Sequence, residues 1–242
     1  MSTRRRKRVN TETFTPSPQS NEELMLAQQH TALVREVLGA MLTAERRETI
    51  SRVVDNRTNR LHVAAEGVFD PHNTAAIIRS ADAFGVQHVH IIEGAAKFHS
   101  SRSVTQGAHK WVDVRVYRDC AEFVAAMRAG GIRVLVAAMR GAVDVKEVTS
   151  AEPAVLVFGN ESDGISPQMF ALADGVFRIP MYGFVESFNV SVAASVAMSA
   201  LRSGGGGDLS PAQKDVLTAR YYLRSVRAGA DIVRRALSSG RC

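Results

Sequence analysis

The chain has 242 residues, 45% of them apolar, and a formal net charge of +6. That length suits one large domain or one domain with extensions, and two cysteines, Cys120 and the terminal Cys242, make neither a disulfide framework nor a thiolate metal site. No run of about 18 apolar residues occurs and MSTRRRKRVN lacks the apolar centre of a signal peptide, so a cytoplasmic protein without a membrane span is expected, and the basic balance suits a nucleic-acid partner.

Residues 1 to about 20 are polar, contain Pro and Ser, and open with Arg4, Arg5, Arg6, Lys7 and Arg8, which predicts a disordered basic arm. Residues 21 to about 54 read as two helices. In the first, NEELMLAQQHTALVREVLG, Leu24, Leu33, Val34 and Leu38 fall near helical spacing and Gly39 ends the run.

From Leu61 the pattern changes. LHVAAEGV reads as a strand, and HNTAAIIRSADAFG as a helix with Asn73 as N-cap and Gly85 at its stop. VQHVHIIEG and WVDVRVY are strands, DCAEFVAAMRAGG a helix, IRVLVAAMRG and PAVLVFGNE strands. SPQMFALAD is a short helix with Pro167 in its first turn, GVFRIPM a strand and FNVSVAASVAMSALRSG a helix. Strands alternate with helices and several are continuous Val/Ile/Leu runs, which predicts an α/β fold with a mostly parallel, doubly covered sheet. Gly204 to Gly207 form a flexible break, followed by one or two terminal helices rich in Lys214, Arg220, Arg224, Arg227, Arg234, Arg235 and Arg241. No Lys-Ser/Thr follows the glycines, so they are not a phosphate loop, and no GxGxxG is present for a dinucleotide.

In open parallel sheets, ligands bind beyond the carboxyl ends of the strands. Three late strands run into unusual loops there: one at Arg140-Gly141, one at GNESDGI (159 to 165), and one at YGFVESFN (182 to 189). Loops of this kind enclose a small polar ligand largely with backbone groups. On the early helix, Ala76, Ile77, Ser80, Ala81 and Phe84 share one face, and Arg79 lies roughly 130° from its centre, outside the core stripe. The plain alternative for Arg79 is a surface ion pair with Asp82 or Asp163. His88 and His90 share one face of a strand, a pattern that belongs to packing more often than to a metal site.

NTAAIIRSADAFGV, FGNESDGI and IPMYGFVESFNVSVAASVAM, with GAHKWV between the first two, resemble in order and spacing the signature motifs of the SPOUT superfamily of RNA methyltransferases, SpoU type. The resemblance covers about residues 46 to 201 and is greatest to the tRNA guanosine-18 ribose 2′-O-methyltransferases. It implies a C-terminal deep trefoil knot, S-adenosylmethionine as cofactor with no metal, a homodimer, and tRNA as substrate, with rRNA as the alternative RNA. The implied organisation is the arm over 1–20, a helical extension over 21–56, the knotted methyltransferase domain over 57–203 and a helical basic extension over 204–242.

The resemblance assigns Arg79 as the catalytic arginine and places Asn73, Glu161, Ser187 and Asn189 beside it. Each has a plain alternative: helix capping for Asn73, Ser187 and Asn189, an exposed loop carboxylate for Glu161. It assigns Ala137, Gly159, Ile179, Met181 and Phe188 to the adenosyl pocket, where core packing is the plain alternative and Gly159 equally suits a tight turn. Phe188 stands where Leu is common in the family and Glu186 where an uncharged polar residue is familiar. A catalytically silent RNA-binding protein on the same scaffold would be expected to lack Arg79, Glu161 or Asn189; this chain has all three.

Overall fold

The computed structural model describes residues 18–68, 70–93, 110–139, 143–148, 152–160, 162–202 and 205–239. Residues 1–17 of the basic arm, Glu161, Arg140-Gly141 and Cys242 lie outside the described residues, so the expectations placed on them are not addressed by it, whereas residues 18–20, expected in the arm, belong to the first helix.

The centre is a seven-stranded sheet: β1 Thr58–Glu66, β2 Val86–Ile92, β3 Asp113–Tyr117, β4 Arg133–Ala137, β5 Val143–Asp144, β6 Ala154–Phe158 and β7 Gly175–Arg178. Its order is β3-β2-β1-β6-β4-β7-β5 and every ladder is parallel. Parallel strands need covered crossovers, and the central β6, AVLVF, is buried throughout as such a strand must be. The chain winds outward from β1 through β2 to β3, crosses to β4 and the edge strand β5, then inserts β6 between β1 and β4 and β7 between β4 and β5, so the paths leaving β1 and β6 run to opposite sides. At such a point the loops leaving the two strands diverge to opposite faces and open a crevice.

Helices α4 Pro71–Ala83 and α7 Val190–Arg202 cover one face, where Ile77, Ala81, Ala194, Ala197 and Met198 pack on Val63, Leu156 and Phe177. Helices α5 Cys120–Ala129 and α6 Pro167–Leu172 cover the other, where Phe123, Met127 and Met169 meet Val134, Val155 and Val157. A third apolar cluster is wholly helical: α1 Pro18–Gln29, α2 Thr31–Gly39 and α3 Ala44–Asp55 enclose it with α8 Pro211–Ser225 and α9 Gly229–Ser238. The segments before and after the sheet thus pack on each other, with Tyr221 and Leu38 buried between them.

The structure departs from the expected elements in three places, while the terminal segment forms two helices, within the one or two expected. The first predicted helix is two, bent at His30, so three helices precede the sheet rather than two. The short β5 was not anticipated; two residues are too few for any periodicity to show. Asn73 does not cap α4: Asp70 does, accepting from the His72 N–H, because Pro71 takes the first helical position and moves Asn73 into the first turn. Gly85 does follow the end of α4, at φ +72, where a Cβ would lie 2.3 Å from the Asn56 carbonyl. No helix among the described residues is long and apolar enough to cross a membrane.

Candidate active site

Helices α4 and α7 run in the same direction, joined by polar contacts along their length. At their starts the Asn189 side-chain amide donates to Asn73 Oδ1 (3.1 Å). Midway Ser195 Oγ donates to Ser80 Oγ (2.7 Å), and at their ends Arg202 Nε donates to the Phe84 carbonyl (3.0 Å). Asn189 Oδ1 accepts from Ser191 N–H (2.9 Å) and Ser191 Oγ (2.6 Å), so Asn189 caps α7 with one end of its amide and reaches α4 with the other. Both helix N-termini, with their positive dipole ends, therefore open at one place.

Arg79 sits on the solvent side of α4. Neither surface partner suggested for it is available. Asp82 binds Arg57, and Asp163 is held within its own loop by Asn160 Nδ2 (3.4 Å). No described residue pairs with the Arg79 guanidinium, in contrast to Arg57, Arg220 and Arg224, each bound to a carboxylate. The plain reading of Arg79 as half of an ion pair thus finds no partner among the described residues.

The loop after β6 is tightly folded. Asn160 Oδ1 accepts from the Ser162 and Asp163 N–H groups (2.8 and 2.7 Å), and Gly164 N–H returns to the Asn160 carbonyl. Gly159 is required by that turn itself: a Cβ there would lie 2.0 Å from the Gly164 backbone. The loop ends at Ser166, which caps α6 by accepting from Met169 N–H (3.1 Å).

Ala137, Ile179 and Met181 are half-buried at the ends of β4 and β7, and Ala137 and Ile179 pack on the core beneath. Beyond Arg178 the chain leaves regular structure until α7. Ser187 and Phe188 are exposed there with Tyr182, Phe184 and Val185. The structure brings Asn73 and Asn189 together, sets Ala137, Ile179 and Met181 along the same carboxyl edge, and gives Ser187 no described partner. The half-buried apolar side chains of Ala137, Ile179 and Met181 at that edge, beside the main-chain groups of the loops, fit an adenosyl group, whose flat ring needs both.

Two groups of polar residues lie elsewhere. His62, missed in the sequence because it stands alone on β1, joins His88 and His90. Its Nδ1 is 2.9 Å from His90 Nε2, and its ring lies 4.5 Å from that of His88. The register His62↔His88 would have revealed it only once β1 was known to neighbour β2. Burial, then the neighbouring ring and cations, holds His62 down at about 3 and His88 at about 4, with His90 well below the usual range. These rings are neutral packing groups, and among the described residues no cluster of three His, Cys, Asp or Glu is placed to hold a metal. The second group is the cations of the terminal helices. Lys214 binds Asp55, Arg220 Asp113, Arg224 Glu23, and Arg234 both Glu22 and Asp231. Arg227 and Arg235 remain exposed without a described partner. A shallow concavity lined by Arg35, Gly39, Arg47 and Tyr222 lies on this helical cluster. Its cations are engaged too, Arg35 by Asp215 and Arg47 by the Gly39 and Leu42 carbonyls.

These features define an α/β protein whose site is assembled on the carboxyl edge of one parallel sheet, between two helix N-termini and a folded glycine loop. The chain belongs to the SpoU rRNA Methylase family, whose model matches residues 60–199. It is 40% identical over 157 residues, 64% of this chain and 81% of the other, to a tRNA (guanosine(18)-2′-O)-methyltransferase of Thermus thermophilus. It is 31% identical to a Bacillus subtilis 23S rRNA (guanosine(2553)-2′-O)-methyltransferase, over 60% of this chain and 59% of the other. Among solved structures it resembles the TrmH/SpoU tRNA modifying enzyme of A. aeolicus (TM-score 0.65, 29% identity, 76% of this chain and 98% of the other). It also resembles the Streptomyces viridochromogenes SpoU methyltransferase AviRb in complex with the cofactor AdoMet (TM-score 0.55, 28% identity, 63% and 60%).

Proposed function

We propose that this protein transfers a methyl group from S-adenosylmethionine to the ribose 2′-hydroxyl of guanosine 18 in the tRNA D-loop. The observation that carries the reading is the Asn189–Asn73 hydrogen bond, which locks the third motif to the first, on whose helix stands an exposed arginine that no described residue neutralises. The choice of nucleotide is supported by the 40% identity to a tRNA guanosine-18 enzyme.

Bound S-adenosylmethionine supplies an electrophilic methyl group. Ala137, Gly159, Ile179, Met181 and Phe188 form its adenosyl pocket, through apolar contact and the main chain of the loops after β4, β6 and β7. Arg79 keeps its proton at neutral pH and so is no base by itself. It holds a phosphate of the target nucleotide bidentately and stabilises the negative charge that develops on the attacking 2′-oxygen. The phosphate it orients is the acceptor for the 2′-proton. Asn73 and Asn189 fix the face of α4 from which Arg79 projects. Glu161 and Ser187 complete the polar side of the site.

The chain from β6 to α7 forms the trefoil knot in this reading, and the enzyme is a homodimer. Val192 and Val196, four residues apart and exposed on α7, give an apolar strip that a second copy would cover. Arg227, Arg235 and the basic arm bind the tRNA backbone, with the salt dependence that phosphate contacts impose.

The test is methyl transfer from labelled S-adenosylmethionine to unmodified tRNA and rRNA transcripts, followed by nuclease digestion. Label in 2′-O-methylguanosine at position 18 supports the reading. Label in rRNA alone keeps the chemistry and replaces the substrate, and no label in either removes the assignment.

A further inference from the structure

The mechanism above leaves one buried acid unused. Glu66, the last residue of β1, is only 5% exposed, and no arginine or lysine among the described residues pairs with it. Its carboxylate accepts three hydrogen bonds instead. Ser166 N–H donates to Oε2 (3.1 Å), Ser166 Oγ to Oε1 (2.5 Å), and the Cys120 thiol to Oε1 (3.1 Å). The thiol can be a donor because burial, and then Glu66 itself, push its pKa up to about 11.

The place of this carboxylate matters more than its partners. β1 and β6 are the neighbours whose outgoing paths run to opposite sides, so Glu66 stands at the mouth of the crevice. Ser166 is the last residue of the loop that leaves β6, and Cys120 opens α5 after β3. One side chain therefore ties together the exits of three strands. The loop it grips begins at Gly159, whose backbone lies against Gly164, and is braced within by Asn160. The front of the loop continues from β6, Asn160 braces its described interior, and Ser166, where it joins α6, is the residue that Glu66 holds.

We propose that Glu66 is a positioning residue for cofactor binding: it clamps Ser166 and so holds the Gly159–Ile165 loop in the shape that receives S-adenosylmethionine. The inference rests on the reading of that loop as part of the cofactor site. It does not make Glu66 catalytic, since nothing places it against the reacting atoms. Nor is Glu66 needed to build α6, because Ser166 caps that helix independently through Met169 N–H. A fixed loop binds without first losing conformational freedom, and a slack one gives up part of its affinity to ordering.

The test uses the full chain with Glu66→Ala and Glu66→Gln, reading the Kd of S-adenosylhomocysteine by calorimetry, the KM for S-adenosylmethionine and kcat at saturation, and the thermal midpoint. The expected result is at least tenfold weaker binding and a matching rise in KM for Glu66→Ala, with kcat within about threefold of wild type. Glu66→Gln keeps an acceptor and falls between. Should Glu66→Ala fail to fold, Ser166→Ala carries the test, with a threefold or greater loss of affinity expected. A variant with a lower thermal midpoint but unchanged Kd and KM would overturn the proposal and leave Glu66 a purely structural group. Wild-type protein that binds no S-adenosylhomocysteine would instead overturn the cofactor reading on which the proposal rests.

Discussion

The two ends of the sheet treat polar side chains in opposite ways. At the amino end, where β1 to β3 begin and meet the helical cluster, such groups are buried and mostly paired with one another, although Arg57 Nε, Arg220 Nε and His90 Nδ1 have no hydrogen-bond partner among the described residues. Arg57 is fully enclosed, bound to Asp82 with its guanidinium 5.8 Å from the Tyr221 ring, and Arg220 is paired with Asp113. His62 stacks on His90 and lies tilted beside His88 as neutral rings, and His90 alone of the three meets the Phe123 and Tyr117 rings. At the carboxyl end, Ser187 faces solvent and Asn73 and Asn189 meet at a half-open helix junction, with Arg79 exposed within two turns farther along α4. A buried charge keeps its partner because stranding it is costly, whereas a charge left exposed without one is available to a ligand. The amino end thus carries stability and the carboxyl end carries chemistry. Glu66 is the exception, a buried acid at the carboxyl end, and it grips a loop rather than a strand.

That division can be broken most forcefully through Arg220. Its Nη1 donates to Asp113 Oδ2 (3.0 Å), and the Arg220 charge holds the buried Asp113 carboxyl well below the usual carboxylate range. Arg220→Ala leaves that carboxylate with Gln87 as its remaining side-chain donor (3.2 Å). The expected cost is about 3 kcal/mol in urea unfolding, the low end for a broken buried pair because Gln87 stays. Methyl transfer per folded molecule is expected to be retained. Arg79→Ala should do the reverse, lowering methyl transfer by about 10² to 10³ while leaving unfolding within about 0.5 kcal/mol of wild type.

A pH titration of stability sharpens the contrast without a mutation. The three histidines stay neutral in the folded chain down to about pH 4 or lower, whereas the unfolded chain protonates them near 6.5. Between those values the unfolded state binds more protons, so stability is fully present above about pH 6.5 and falls as the pH drops toward 4. The groups around the stack are Asp113, Arg115 and Arg220, and the depressed carboxyl of Asp113 adds its own loss only below its ordinary range. Urea midpoints at pH 7, 5.5 and 4.5 should decline in that order, and His62→Asn should flatten the decline. A flat profile in the wild type would show that the rings are not kept neutral by burial. The smallest effect is expected from Asn189→Ala, which removes the cap of α7 at about 1 kcal/mol. If the bridge to Asn73 orients α4, methyl transfer falls with it by about tenfold or more.

Much of the carboxyl end was readable in advance, because its determinants are local. Alternating strand and helix patterns located α4, β6 and α7, and the Pro and Gly of IPMYGFVESFN marked where regular structure must stop. The solvent position of Arg79 followed from helical spacing alone. The amino end was closed to the same reasoning, since its determinants are partners distant in sequence. His62 acquires meaning only beside His88, Arg57 only beside Asp82 and Tyr221, and the terminal arginines only once α8 and α9 lie against α1 and α3. Asp70 was passed over as the α4 cap because Asn73 offered the same chemistry three residues later, and Pro71 decides between them. The bend at His30 carries no Gly or Pro to announce it; α1 and α2 both pack on α8, in the cluster that holds Leu38 and Tyr221.

The measurement that bears most directly on this division is a paired one. Thermal midpoint and methyl transfer to a tRNA transcript are read together for Arg79→Ala and Arg220→Ala, at a temperature where both stay folded. The account predicts a crossed result: Arg79→Ala keeps its midpoint and loses transfer, while Arg220→Ala loses midpoint and keeps transfer. Transfer that survives in Arg79→Ala, or that disappears in folded Arg220→Ala, would contradict it.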